Sequence, residues 1–182
     1  MNKTLYTAQS DLVLEKLKEN DCLYVKKEYI QKKYGEDLSK NIFIAYDWFR
    51  KAFQEKVDPP EKADYPFWLF EDPRYAKTYG GANLIKLSIP ENEIVFFDNH
   101  KWERVLNLNY VGQSKAEEKA FDQNLKKYGL QTGLDVFNSP LHISLKTKIK
   151  KSFERIFELD ENSVIRAASW YLKKDWMNEI ID

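Results

Sequence analysis

The sequence predicts an α+β fold, in which a small mixed or antiparallel sheet packs against helices within a single domain over residues 1–182. Runs of strand-forming residues alternate with segments whose apolar residues recur at helical spacing. Hydrophobic residues make up 43% of the 182 residues and aromatic residues 15%, a composition typical of a packed core. Internal repeats, low-complexity tracts and long linkers are lacking, which favours one domain.

The N-terminal part is predicted to contain a strand, a helix, an irregular projection and a core helix. Residues 4–8 read as a strand, and Ser10 can cap the helix that follows. Residues 21–35 alternate tyrosines and lysines with apolar residues, which indicates a protruding β-hairpin or loop. Ser39 begins a helix with regularly spaced aromatic and aliphatic residues, and Pro59 and Pro60 end it.

The centre of the chain is predicted to be rich in strands. YPFWLF at 65–70 consists of strand formers, and Asp72 and Pro73 mark the start of a short helix that Gly80 closes. Two further strands follow, NLIKLSI at 83–89 and EIVFF at 93–97, and a turn joins them.

Helices dominate the predicted C-terminal half. One begins at Asp98 or Asn99, and a second begins with a capping box formed by Ser114 and Glu117. After a loop over 131–140, a helix carries apolar residues from Leu145 to Phe157 on one face.

The C-terminus is predicted to form a strand and a short helix. SVIRAASWYL at 163–172 reads as a closing strand, and residues 176–181 read as a terminal helix.

Charge and cysteine content exclude several function classes. Basic and acidic residues balance at 29 each, so any attraction to nucleic acid must be local. Cys22 is the only cysteine and two histidines are present, which leaves few ligands for a transition metal. The sequence implies no metal and no cofactor. With no signal peptide and no apolar run of membrane-spanning length, it also implies a cytoplasmic location.

The first candidate site is the basic, aromatic segment 23–34. Ammonium groups neutralise phosphates and aromatic rings stack on unpaired bases, which favours RNA or a nuclease-RNA complex as the partner. The alternative is an edge hairpin whose exposed lysines prevent pairing with other sheets. The predicted contacts are Lys26, Lys27, Tyr29, Lys32, Lys33 and Tyr34.

A second candidate is the lysine run 146–151. Four lysines within six residues cannot share one helical face, so part of the run is the solvated side of an amphipathic helix. Lys148 and Lys151 are predicted to contact RNA or the partner.

A third candidate is the titratable group around residue 100. His100 with Asp98 or Glu103 could act as an acid-base pair on a 2′-hydroxyl, and Arg104 could hold the phosphate. The alternative interpretation makes Asp98 a helix cap and His100 a surface residue.

Five ordered patterns carry a resemblance to a known family. The chain resembles bacterial domain-of-unknown-function family 3841, and in length and style it resembles type II-A anti-CRISPR proteins that disable a CRISPR effector nuclease. The resemblance implies inhibition by inducing truncation of the single guide RNA. The patterns are LYTAQS at 5–10, YPFWLF at 65–70, DNHKWERVLNLNY at 98–110, SFERIF at 152–157 and IRAASWYL at 165–172.

Two other function classes stay open. The opening strand and FEDPRYAKTYGGANLIKLSIP also resemble the middle of ADP-ribosyltransferases, and the first strand offers Tyr6 and Gln9, although the closing strand lacks a glutamate. A pocket holding these two residues and Arg74 would support such an enzyme. The third class is a non-catalytic interaction domain.

Overall fold

The computed structural model describes residues 1–79 and 83–181, and the predicted helix end at Gly80 lies outside them. The α+β fold is confirmed. The elements in chain order are β1 (Asn2–Gln9), α1 (Asp11–Glu19), β2 (Cys22–Tyr24), α2 (Lys27–Gln54), β3 (Phe67–Phe70), α3 (Pro73–Tyr79), β4 (Asn83–Pro90), β5 (Val95–Asp98), α4 (Asn99–Leu106), α5 (Lys115–Lys126), α6 (Gly133–Asn138), α7 (Ile143–Ser152), β6 (Ile165–Ser169), β7 (Tyr171–Lys173) and β8 (Met177–Ile181).

Contacts within the chain divide it into two compact units. The first comprises Met1–Ile30, Phe53–Phe96 and Ile165–Asp182, and the second comprises Gln31–Ala52 and Phe97–Val164. The expectation of a single domain stays a prediction.

Within residues 1–79 and 83–181, the main sheet has six strands in the order β5-β6-β3-β1-β4-β8. The pairs β1 with β3, β1 with β4, β3 with β6, and β4 with β8 are antiparallel. Leu5 on β1 lies opposite Leu87 on β4, and both are fully buried. Leu14 and Leu17 of α1 join the same hydrophobic cluster, so α1 covers one face of the sheet.

The predicted closing strand is two strands that belong to different sheets. β6 pairs with β3, whereas β7 pairs with β2 in a separate two-stranded sheet. Trp170 separates them, stacks on Phe53 with ring centroids 4.4 Å apart, and donates its indole N–H to the Val57 carbonyl at 2.8 Å. The buried indole thus has a hydrogen-bond acceptor, as a buried tryptophan requires.

The predicted hairpin or loop after residue 21 is wrong beyond its first strand. β2 ends at Tyr24, and α2 begins at Lys27. The backbone N–H of Lys27 donates to the carboxylate of Asp64 at 2.9 Å, which caps the helix from a distant part of the chain. Gly35, with φ 75° and ψ 170°, joins this first segment to the predicted core helix. Such a backbone conformation is almost restricted to glycine.

Two further predictions for the C-terminal half are wrong. Residues 177–181 form strand β8 because they pair with β4, with Ile180 opposite Ile85. The predicted loop contains the short helix α6, which begins with a capping box between Thr132 and Asp135.

An aromatic cluster forms the core of the second unit. Phe49 of α2 lies 5.0 Å from Phe97 and 5.1 Å from Trp102, measured between ring centroids. Trp48 contacts Phe153 edge-on at 5.2 Å. This cluster buries the apolar sides of α2 and α4 and fixes the short 3-10 turn that continues α7 over Phe153–Phe157. Within the described residues, no helix has the length and apolar character needed to cross a membrane.

Candidate functional site

The predicted catalytic residues lie along α4 and at the residue that precedes it. Asp98 is buried, and its carboxylate accepts a hydrogen bond from the Lys101 backbone N–H at 2.9 Å. Asp98 therefore caps α4. His100 is exposed on the first turn of the same helix.

Glu103 and Arg104 form polar contacts with residues outside the predicted catalytic group. The Glu103 carboxylate accepts from the Asn99 amide at 3.1 Å. Arg104 Nε lies 2.9 Å from the Glu118 carboxylate and donates to the Tyr110 carbonyl at 2.7 Å. An arginine held this way ties α4 to α5 and to the chain between them. The proposed roles of the four residues in catalysis stay a prediction.

The lysines predicted to contact RNA in segment 23–34 point in several directions. Successive helical residues are turned by about 100°, so Lys27, Lys32 and Lys33 project from different sides of α2. All three side chains are exposed, whereas Lys26, which precedes the helix, is half-buried. The helix thus presents separate positive charges.

The tyrosines of this segment lie beside lysines. Tyr29 is 49% exposed, with Lys16 Nζ 5.5 Å from its ring centroid. Tyr34 is half-buried, with Lys33 Nζ 5.3 Å from its ring. Tyr29 is therefore the more accessible ring for stacking.

A groove in the second unit brings basic residues together. It has a volume of about 390 Å³ and lies along α7 and the 3-10 turn that follows. Six of its residues recur at positions i, i+3, i+4, i+7, i+8 and i+11, which is one helical face. We call it the α7 groove, lined by Tyr110, Ser144, Thr147, Lys148, Lys151, Ser152 and Arg155.

Arg155 is fixed at one end of its guanidinium. Its Nη1 donates to the Val111 carbonyl at 2.8 Å and to the Tyr110 hydroxyl at 3.1 Å, and it lies 3.3 Å from both carboxylate oxygens of Glu117. Among the described residues, Nε and Nη2 have no hydrogen-bond partner. The guanidinium is therefore held in place with donors left over for a ligand.

Tyr110 and Glu117 support this arrangement. The Tyr110 hydroxyl donates to Glu117 at 2.6 Å. Burial, and then this hydrogen bond, raise the pKa of Tyr110. The pKa of Glu117 is lowered, first by the Tyr110 hydroxyl and then by the Gln113 backbone N–H, with Arg155 adding to the effect. Glu117 therefore stays ionised and Tyr110 protonated near neutral pH.

The two predicted lysines complete the groove. Lys148 and Lys151 are exposed, and neither forms an ion pair within the described part of the chain. Lys148 Nζ lies 5.8 Å from the Tyr110 ring and 5.4 Å from the Phe121 ring. With Arg155, the groove thus offers three cationic groups to an anion.

The Ser152 hydroxyl at the groove is already hydrogen-bonded. It donates to the Ile149 carbonyl and accepts from the Val111 N–H.

Sequence reasoning identified Lys148 and Lys151 as a possible contact but did not assign Arg155 and Tyr110 to the same place. Spacing from Lys148 to Arg155 was a usable signal, because residues seven apart share a helical face. Tyr110 lies 45 residues before Arg155 and only folding brings it to the groove.

The residues considered for an ADP-ribosyltransferase lie elsewhere. Gln9 donates through its amide to the Thr7 hydroxyl at 2.8 Å, and Tyr6 packs against a small cluster around Phe70. Arg74 is 86% exposed at its side chain and pairs with Asp72. These contacts keep Arg74 at the surface, bound to its neighbour in sequence.

Comparisons with known proteins give one match. No curated protein and no solved structure is similar enough to match. The model of the family described as a domain of unknown function, DUF3841, matches residues 4–178. The matched range includes α4, the α7 groove and strands β3 to β6 of the main sheet in full, together with most of β1 and the start of β8. The chain therefore belongs to the DUF3841 family.

Proposed function

We propose that the protein inhibits a type II-A CRISPR effector nuclease by inducing truncation of its single guide RNA, and that the α7 groove contacts this RNA. The observation that carries RNA binding is the alignment of Lys148, Lys151 and Arg155 on one face of α7 and its extension. The step from RNA binding to guide truncation rests on the resemblance to anti-CRISPR proteins.

The charge distribution of α7 favours a phosphate ligand. Lys148 and Lys151 are unpaired cations within the described residues, and Arg155 carries spare N–H donors. Phosphate oxygens accept such charge-assisted hydrogen bonds strongly, and a guanidinium can bind two of them at once. The residues that line the groove include no carboxylate and no histidine, which favours binding over acid-base chemistry there.

Truncation would remove base pairing between guide and target. The effector nuclease takes its sequence specificity from that pairing, so a shortened guide disables it. The lysines and tyrosines of residues 26–34 are proposed as a second contact to the RNA or to the nuclease-RNA complex.

The test is a denaturing gel of labelled single guide RNA incubated with this protein, with and without a type II-A effector nuclease. We expect shortened RNA only when both proteins are present. Shortening by this protein alone would assign the cleavage to it, and intact RNA in every lane would reject the proposed function.

A pair of charge-reversal variants connects the gel to the groove. Lys148→Glu with Lys151→Glu should abolish shortening. Lys146→Glu with Lys150→Glu changes the net charge by the same amount on the opposite side of the same helix. This double variant should still shorten the RNA. Equal loss in both double variants would contradict a specific role for the groove.

A further inference from the structure

We infer that the α7 groove is a site for the phosphodiester backbone of single-stranded RNA and makes no contact with the bases. This inference rests on the proposed function for the identity of the polymer and adds how it is recognised. Proteins that bind single strands commonly combine a positive groove with exposed rings on which bases stack. The α7 groove has the first feature and lacks accessible rings.

The aromatic rings at the groove are already packed against each other. Tyr110 and Phe121 stack with centroids 4.3 Å apart and an interplanar angle of 14°. Tyr110 is 6% exposed and Phe121 is 5% exposed. A base would need an open ring face, and these two residues do not offer one.

Cations also lie beside the Tyr110 ring. Lys148 Nζ is 5.8 Å from its centroid, and the Arg155 guanidinium carbon is 5.5 Å from it. The same side chains therefore shield the ring and present positive charge to the solvent. A strand that enters the groove meets ammonium and guanidinium groups first.

Arg155 supplies the directional contact. Because Val111, Tyr110 and Glu117 hold its Nη1, the remaining donors keep one orientation. A pre-oriented guanidinium fork suits two oxygens of one phosphate, and it carries no preference for a base.

The test uses the Tyr29→Ala, Tyr34→Ala variant, which lacks the rings of the second proposed contact. It measures binding of labelled 12-nucleotide strands of oligo(A), oligo(U) and oligo(C), and of an abasic strand with the same number of phosphates. We expect dissociation constants that agree within about threefold, because only phosphates are contacted. The three cations of the groove should contribute about −2 to the slope of log affinity against log salt.

Variants test whether this binding occurs in the groove. Lys148→Ala with Lys151→Ala should weaken all four strands by the same factor and reduce the slope by about 1.4. Lys146→Ala with Lys150→Ala, on the other side of α7, should change the slope by less than half of that. Equal effects of the two pairs would overturn the inference.

The results separate this inference from the proposed function. A tenfold preference for one base, or failure to bind the abasic strand, would overturn backbone-only recognition and leave guide truncation standing. Uniform binding without any shortening of guide RNA would support the backbone site and reject the proposed function. Guide shortening without binding to any of these strands would overturn the inference and the proposed groove contact, and would leave guide truncation standing.

Discussion

The carboxylate of Asp64 accepts a 2.9 Å hydrogen bond from the backbone N–H of Lys27, 37 residues earlier in the chain. The first N–H groups of a helix lack partners within the helix, so this bond satisfies one of them. Asp64 thus does for α2 what a capping side chain does for most helices.

Replacing Asp64 should destabilise the first unit. We expect Asp64→Ala to lower the free energy of unfolding by about 0.5–2 kcal/mol, the range measured for helix caps. Asp64→Asn keeps an oxygen acceptor and should lose much less. Urea denaturation followed by circular dichroism measures both, and equal stability of wild type and Asp64→Ala would contradict the capping role.

Gly35 should resist substitution although it is exposed. A Cβ would meet nothing within 4 Å, so space is not the constraint. Its φ of 75° with ψ of 170° strains any other residue, and Gly35→Ala should cost about 1–3 kcal/mol. Gln31→Ala, at an exposed position in the preceding helical segment, is the control. Thermal or urea unfolding that ranks the two variants equal would reject this explanation.

Glu117 should make the folding stability depend on pH in the acid range. Its pKa is lowered in the folded protein, so it binds a proton less readily when folded than when unfolded. The contribution of Glu117 to folding stability is complete above its pKa in the unfolded chain, about 4.3. It is lost as the pH falls from there through the pKa of the folded protein.

Unfolding measured between pH 7 and pH 3 tests this contribution. Glu117→Gln should flatten the decline of stability at the acid end, whereas Glu161→Gln, at an exposed position, should follow the wild type. A Glu117→Gln profile parallel to that of the wild type would contradict the sign of the effect.

The lysines at the N-terminal end of α2 should matter for inhibition and not for folding. Replacing Lys26, Lys27, Lys32 and Lys33 by glutamate should abolish guide truncation, because negative charge repels phosphate. The cap on α2 uses the Lys27 backbone, so circular dichroism should stay unchanged. Four exposed lysines outside α2, Lys18, Lys62, Lys119 and Lys127, make a matched control. Full activity of the α2 variant would remove this helix from the interface.

His100 provides a test of catalysis by the chain itself. As a general base it should contribute about 10²–10⁴-fold to the rate of guide shortening, and His100→Ala should lose that factor. His142→Ala replaces the other histidine and should keep the rate. An undiminished rate for His100→Ala would reject the assignment.

Local patterns predicted those elements whose determinants lie close together in sequence. The apolar spacing around Phe49, the Ser114 cap of α5 and the Pro73 start of α3 each lie within a few residues of what they determine. The second half of the predicted capping box is wrong, because the Glu117 carboxylate accepts from the Gln113 N–H. The start of α2 was missed because its cap is Asp64. Strand β8 was missed because pairing with β4 decides its conformation.

The same reasoning applies to the groove. Lys148 and Lys151 could be predicted because their spacing on one helix is fixed by helical geometry. The packing of Tyr110 against Phe121, and the contact of Arg155 with Glu117, depend on tertiary structure. Sequence could therefore predict charge at this place and could not predict that the ring beside it is covered.

Trp170 couples the local unfolding of the two sheets. It separates β6 from β7 by a single residue and is fixed by Phe53 and Val57. A motion that pulls Ile165–Lys173 away from β3 must also strain its pairing with β2. Amide hydrogens of β3 and β2 should therefore exchange with solvent in one cooperative event, with similar protection factors, despite belonging to separate sheets.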